Sequence, residues 1–585
     1  MFGYRGAYLK IALSGGPAET VPISPGVLRR VIGGAGLGTW LLRRECPPGI
    51  DPFDPACPVV FAWAPLAGSG VPGSTRFAVV TKSPLTGRLN DAICSSRFAE
   101  QGRGCGADGW VIVGACATLS VLLVEPGGVR VEAAPELAGL SPARTAERVR
   151  ERFGERFSVA AIGLAGENRV RYATLSAEGR HAGRGGTGAV LGAKGLKAIA
   201  VAGGEPPTPA DPERLAALVA DLAERAGGEA MDKYRTAGTL GKLGEYGRLG
   251  VLPTPNFRGG PTDSGALSAA AFARSPGVTQ SLPPGEVALE SRYRDKAGRS
   301  GRMEYENVSS LGPLCGVSDR ETVQAAIALC DEYGLDTIST GATLAFAMEC
   351  AARELPGIPE DVARLGLAFG NGETLLPAIE AIAHNAGGGA LLAEGTRRLA
   401  HRIGPESEAF APHVKGLELP AYDPRAVPTL ALALAVGARG ADHNRSNAYE
   451  SDLRGETDRL GLSAESVRAA AEAEERAVLM DSLILSKFLR GIIDFDRELP
   501  ALLGAVSGEP TDRERLRGAA RYILDLKKDL NQQQGCSAAE DTLPERFFRD
   551  EPGAPAPIDR GRFQEAVAAY YRLRGWDAAG RVTLD

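Results

Sequence analysis

Short apolar or alternating runs, YLKIAL, PVVFAWAP, RFAVVTKS, GWVIVGA, LSVLLVE and RVRYATLS, punctuated by Gly, Pro and Asn, fill the first 203 residues, and the pattern stops at GGEPPTPADPE (203–213). Period-two runs of this length between turn residues fit β-strands. From Arg214 the spacing changes: RLAALVADLAERAG places its apolar residues on one helical face, and ETVQAAIALCDEYG, GATLAFAMECAARE and ETLLPAIEAIAHNAG continue in that character. The switch predicts an α+β chain with a strand-rich base domain over 1–205 and a mainly helical middle domain over 206–416. A helical C-terminal domain follows over 417–585, with helices near 425–440, 464–480 and 510–530. Helical insertions are expected at GTWLLRREC and PARTAERVRERFG, and the polar, Gly- and Pro-rich region 251–301 includes the long connection SPGVTQSLPPGEVALESRYRDKAGRSG.

The formal net charge is -6 and the pI near 5.7, which gives no electrostatic footprint for nucleic acid. No apolar run reaches the roughly 18 residues of a membrane span, and MFGYRGAYLKIALSGG turns before any signal-like apolar region, so a cytoplasmic protein is expected. Glycine supplies 75 of 585 residues, clustered locally, which points to tight turns and close backbone approaches. None of the nine cysteines shares a CxxC spacing with another, so no local iron–sulfur or zinc cassette is visible and no metal ligands are assigned.

Several polar constellations stand out. In EGRHAGRGGTGAVLGAKGLKAIAV (178–201), Arg180, Gly183, Arg184, Gly185 and Gly186, with Lys194 and Lys197, read either as an anion site or as plain turn chemistry. GAKG is not GK followed by Ser or Thr, so this is no P-loop, and GRGGTG does not share the placement of a dinucleotide fingerprint. Arg76 and Lys82 flank a strand of small apolar residues. In CDEYGLDTISTG, Gly334 suits a left-handed helix end, and Asp331 and Asp336 either accept hydrogen bonds from a buried heterocycle or lie solvated. MDSLILSKF (480–488) repeats that skeleton with Asp481 and Leu485. Glu306 in RMEYENVSS and His443 in GADHNRSNAYE are the acid–base candidates, read against a salt-bridged Glu and a loop-packing His.

Together RFAVVTKSPLTG, RHAGRGGTGAVLGAKGLKAIAV, YEN, DEYGLDTISTG, LELPAYDPRA, DTLPERF and YYRLRGW make the chain resemble, nearly end to end, the tungsten-dependent aldehyde ferredoxin oxidoreductase family. The resemblance implies a strand-rich base under two helical domains that enclose a pterin cavity. It implies a tungsten or molybdenum bis-pyranopterin cofactor, with Mg2+ between the phosphates, and an aldehyde as the small-molecule substrate. Arg76, Arg180 and the Gly183–Gly186 loop match residues that approach the cofactor. Asp331, Leu335 and Asp336 match the DxxGLD motif at one pterin, Asp481 and Leu485 the companion DxxGLC motif at the other. Glu306 corresponds to the glutamate beside the metal and His443 to the proton-transferring histidine.

The departures from that pattern bear on function. The family's cluster cysteines stand as CxxCxxxC before the glutamate and at the end of DxxGLC; here SPGVTQSLPPGEVALESRYRDK (275–296) has no Cys and the fourth position is Ser486. No 4Fe–4S cluster is expected. Ile484 replaces the motif glycine, which disfavours a positive φ and would direct a bulky side chain at the pterin edge. ICSS (93–96) stands where relatives present Asn and Gly to the phosphates, and AAIA (325–328) where some homodimers have an iron-binding ExxH. The expectation is a pterin enzyme without its own cluster, acting through a homodimer or a separate electron-transfer subunit or by non-redox metal chemistry. The alternative is a non-catalytic paralogue acting as structural partner or cofactor carrier.

Overall fold

The computed structural model describes residues 1–260, 265–283, 286–459 and 461–584. The short N-terminal runs form two six-stranded sheets. The first has the order Glu19–Pro22, Ala7–Ala12, Gly109–Val113, Val59–Ala62, Arg76–Lys82, Leu89–Ser95. The second runs Arg180–Ala182, Leu175–Ala177, Ser158–Ile162, Leu196–Val201, Ser120–Glu125, Gly128–Ala133.

Strand alternation decides what each face packs against. Val59, Phe61, Phe77, Val79 and Trp110 of the first sheet meet Leu122, Val124, Ile162, Leu175 and Ile199 of the second in one core. Trp63 and Trp110 meet there edge to face at 4.8 Å. The opposite residues of the first sheet, Val60, Ala62, Ala78 and Val80, bury Leu37 and Leu41 of helix Gly34–Glu45. On the outer face of the second, Val121, Val159 and Ala198 cover Val149 of helix Pro142–Phe153, which starts at a Ser141 cap. Both sheets are thus apolar on two faces, which is why their strands read as near-continuous apolar runs.

The helices expected further along form with adjusted ends. The one predicted over 425–440 spans Pro428–Val436, because Pro428 supplies the first turn and Gly437 ends it. The others span Ala464–Leu483 and Arg513–Gln533. The stretch 251–301 is more ordered than a connection: Val278–Ser281, Glu290–Arg294 and Ser300–Arg302 pair as an antiparallel sheet. Asp295 closes its turn by accepting from the Arg299 backbone at 2.8 Å and side chain at 2.7 Å. Pro284 and Gly285 lie outside the described residues.

The edge strands Leu89–Ser95 and Arg180–Ala182 form a floor roofed by helices Tyr305–Leu311, Arg320–Tyr333 and Ala464–Leu483. Among the described residues no helix is long and apolar enough to cross a membrane.

Candidate active site

A cavity of about 360 Å³ opens between this floor and roof. Arg76, Arg180, Gly183 and Arg184 border it. Gly183 is open on its side-chain face, since a Cβ there would meet nothing closer than 3.7 Å. Gly185 and Gly186 lie behind the wall: a Cβ on Gly185 would sit 2.3 Å from Asn90 Oδ1, and one on Gly186 2.0 Å from the Arg171 carbonyl oxygen. Their φ values of 88° and 82° set the loop, so they shape the cavity without lining it. GRGGTG does read GxGxxG letter for letter between a strand and a helix, but Arg180–Ala182 is an antiparallel edge strand and no Rossmann unit surrounds it. Lys194 donates to the Pro55 and Gly114 carbonyls, Lys197 to Leu140 and Glu167, and Lys82 to Ile50 and Gln534. None of these three faces the cavity, which limits the anion-binding cations of those stretches to the arginines.

Asp331, Leu335 and Asp336 all border the cavity. Helix Arg320–Tyr333 ends at Gly334 in the left-handed region, with φ of 73°, as its sequence predicts. Asp331 stands 3.3 Å from His181 Nε2. Asp336 is committed to the backbone, since it caps helix Thr337–Ala352, accepting from Ile338 N at 3.1 Å and from Ser339 Oγ at 2.6 Å. Arg184 Nε lies 3.5 Å from it.

The second motif departs from its expectation. Ile484 does adopt φ of 60° and ψ of 41°, ending helix Ala464–Leu483 as a glycine would. Its side chain points away from the cavity into the core, against Gly34, where a Cβ would lie 2.5 Å from Ile484 Cδ1. Burial of this side chain outweighs the roughly 1–2 kcal/mol cost of a left-handed non-glycine residue. Asp481 and Leu485 border the cavity, but the Asp481 carboxylate already pairs with Arg445 at 2.7 Å and Lys487 at 2.9 Å. Burial pushes the Lys487 ammonium down to about 8 in spite of that pairing. Ser486 Oγ is buried without a hydrogen-bond partner, and Gly73 packs on its Cβ, where an added Cβ would come within 2.4 Å.

Glu306 and His443 meet across the cavity, Oε1 to Nδ1 at 3.6 Å, and neither of these buried atoms has a hydrogen-bond partner. The other Glu306 oxygen accepts from Ala421 N at 3.0 Å. Burial raises Glu306 to about 7 and lowers His443 to about 3. Sequence reasoning gave the neutral-pH proton to the histidine; the structure gives it to the glutamate, because the ring is desolvated and Arg184, Lys242 and Arg490 press on it with positive charge.

Arg445 on the cavity wall and acids behind it had gone unnoticed. Arg445, two positions beyond His443, reaches Asp91 at 3.3 Å as well as Asp481; burial works against the Asp91 charge, but Arg445, Lys527 and Arg439 hold it at about 2. Glu286 pairs with Arg76 at 3.1 Å, and Glu290 with Arg180 at 3.1 Å and Arg302 at 2.6 Å. Their only signal was an acidic pair, GEVALE, in the stretch read as a connection. Among the described residues no cluster of three or more His, Cys, Asp or Glu side chains is placed to hold a metal ion directly. The unpartnered polar atoms of Glu306, His443 and Ser486 and the excess of cations fit a polar, anionic group of cofactor size.

Fold and site thus give a strand-based, cation-lined cavity with a buried Glu–His pair on its wall. Residues 8–203 match the family model described as aldehyde ferredoxin oxidoreductase, N-terminal domain, and 217–585 that for its domains 2 and 3. The tungsten-containing aldehyde ferredoxin oxidoreductase of Pyrococcus horikoshii is 33% identical, over 100% of this chain and 98% of the relative. The aliphatic sulfonate oxidoreductase WOR-like subunit of Pyrococcus furiosus is 26% identical, over 99% and 96%. Among solved structures, the active site complex BamBC of benzoyl coenzyme A reductase with 1,5-dienoyl-CoA shares the fold, with a TM-score of 0.82 at 22% identity over 100% of this chain and 96% of that one. The chain belongs to the aldehyde ferredoxin oxidoreductase family.

Proposed function

We propose that this chain is a tungsten- or molybdenum-pterin enzyme of the aldehyde oxidoreductase type that works without a cubane cluster of its own. The observation that carries the reading is the Glu306–His443 pair, held buried and unpartnered at 3.6 Å on the cavity wall. A pterin-bound metal supplies a two-electron centre and a Lewis acid. Arg76, Arg180, Arg184 and the backbone at Gly183 would hold its anionic parts, Mg2+ would accompany its phosphates, and Asp331 would accept from a pterin N–H. Glu306, titrating near 7, takes a proton from water or an aldehyde hydrate and passes it to solvent, while neutral His443 accepts a hydrogen bond and orients the substrate.

The charge pairs Arg76–Glu286 and Arg180–Glu290–Arg302, together with Ser486, support the absence of a cluster, since none of these offers a thiolate. Electrons then leave to a separate subunit or carrier, or the chemistry is metal-assisted without net electron transfer; the relative described as a subunit favours a separate partner. A homodimer is compatible with either. The double pairing of Asp481 with Arg445 and Lys487 favours a second reading, a non-catalytic paralogue that carries the cofactor or supports an active relative.

Purified protein from a pterin-making host, assayed with short aldehydes with and without an artificial electron acceptor, tests the choice. Acceptor-dependent oxidation that falls at least about 100-fold in Glu306→Gln, with metal content retained, supports the redox enzyme. Turnover without acceptor supports the non-redox one, and metal-loaded protein inert in both assays supports the paralogue.

A further inference from the structure

The Lys242 ammonium is the cavity charge that the reading above leaves unused. It sits at the end of the turn Leu240–Lys242, where helix Leu243–Arg248 begins, and borders the cavity. Its Nζ lies 5.6 Å from the ring centre of Tyr234, 5.7 Å from Tyr246 and 5.4 Å from Tyr449. Among the described residues no carboxylate lies within ion-pair distance of it, whereas the neighbouring Arg490 is neutralised by Glu450. The Arg490 guanidinium also reaches the hydroxyls of Tyr234 at 3.5 Å and Tyr449 at 3.4 Å.

Lys242 is half-buried, so its ammonium has given up part of its hydration. Cation–π contacts with tyrosines recover some of this, at about 0.5–2 kcal/mol each, and a hydrogen bond with the Tyr246 side chain engages one of the three N–H donors. A complementary anion on the cavity side engages the others. The direction to the chemistry is set by the aromatic stack: Tyr449 lies on Tyr422 at 4.6 Å, and Tyr422 lies 5.0 Å from the His443 ring.

We propose that Lys242, framed by Tyr234, Tyr246 and Tyr449, is an anion subsite that holds the negatively charged end of a short substrate whose reacting carbon faces Glu306 and His443. The substrate class is a small aldehyde with a carboxylate or sulfonate at its far end. This deepens the enzyme reading and rests on it for the word substrate, although the subsite itself needs no turnover to be seen.

Calorimetric titration of the protein as isolated with butanoate, propane-1-sulfonate and butan-1-ol tests it, in wild type, Lys242→Met and Lys242→Arg. The anions are expected to bind wild type and to weaken about 10- to 100-fold in K242M, with partial recovery in K242R; butan-1-ol binding stays level in all three. Tighter butanoate marks a carboxylate substrate and tighter propane-1-sulfonate a sulfonate one. Equal anion affinity in wild type and K242M overturns the proposal. So does loss of bound metal in K242M, which would assign the lysine to the cofactor. Wild-type protein that holds no metal yet binds anions through Lys242 would sink the enzyme reading and leave the subsite standing.

Discussion

Glu306 Oε1 and His443 Nδ1 face each other at 3.6 Å, and the titrating proton of the pair sits on the glutamate below about pH 7. Burial raises the acid to about 7 and lowers the base to about 3, so the uncharged pair is favoured over the ion pair. Their effects on stability oppose each other. Folded Glu306 keeps an extra proton from its ordinary 4.5 up to about 7, which makes stability fall as pH rises through that window. Unfolded His443 binds a proton below its ordinary 6.5 that the folded ring refuses, which makes stability fall as pH drops from there.

The two slopes therefore cancel between about pH 4.5 and 6.5 in the wild type. Glu306→Gln should expose the histidine slope, with stability rising with pH by up to about 3 kcal/mol. His443→Ala should expose the glutamate slope, with stability falling by a similar amount up to pH 7. Urea unfolding at a series of pH values reads both, and parallel curves for the two variants would contradict the assignment.

Ile484→Gly should destabilise the protein. Relief of the left-handed backbone returns about 1–2 kcal/mol, but losing a fully buried isoleucine costs about 3–5 kcal/mol. The net loss of about 1–4 kcal/mol, measured by chemical unfolding, follows from the contact with Gly34. A stabilised variant would mean that the side chain is not packed in the core.

Asp481→Asn should cost about 3 kcal/mol or more, because it leaves Arg445 and Lys487 buried beside a neutral amide. Lys487, already at about 8, would then lose its proton at a lower pH, so the cost should diminish as pH rises toward 8 and level off above it. A pH-independent cost would show that Lys487 does not respond to Asp481.

Much of the site was legible because its motif residues are local. Asp331 and Leu335 share a helix end that Gly334 terminates, and Arg180 and Gly183 share one strand exit, so each pair is placed by a few residues of chain. The strand-rich base was legible for the same reason, since each strand announces itself by its own alternation, but its division into two sheets rests on pairings between distant strands. Lys242 was not, because its meaning depends on Tyr234, Tyr246 and Tyr449 converging on it, with Tyr449 far along the chain. Glu286 and Glu290 gained theirs from Arg76 and Arg180 on distant edge strands. Ile484 misled because a local steric rule was overruled by the tertiary contact with Gly34.

Lys527→Met should be among the more damaging changes far from the acid–base pair. Its ammonium bonds Asp91 at 2.6 Å, both groups are buried, and Asp91 in turn anchors Arg445 under the cavity. Loss of about 3 kcal/mol in stability is expected, with weakened retention of any anionic cofactor. Unchanged unfolding midpoints would remove Asp91 from the supporting network.

Elemental analysis of protein purified from a host that makes the pterin cofactor tests the central claim most directly. Tungsten or molybdenum is expected at about one atom per chain with only trace iron, and with no cubane signal in the electron paramagnetic resonance spectrum after reduction. Stoichiometric iron with a cubane spectrum would contradict it, and so would the absence of both tungsten and molybdenum.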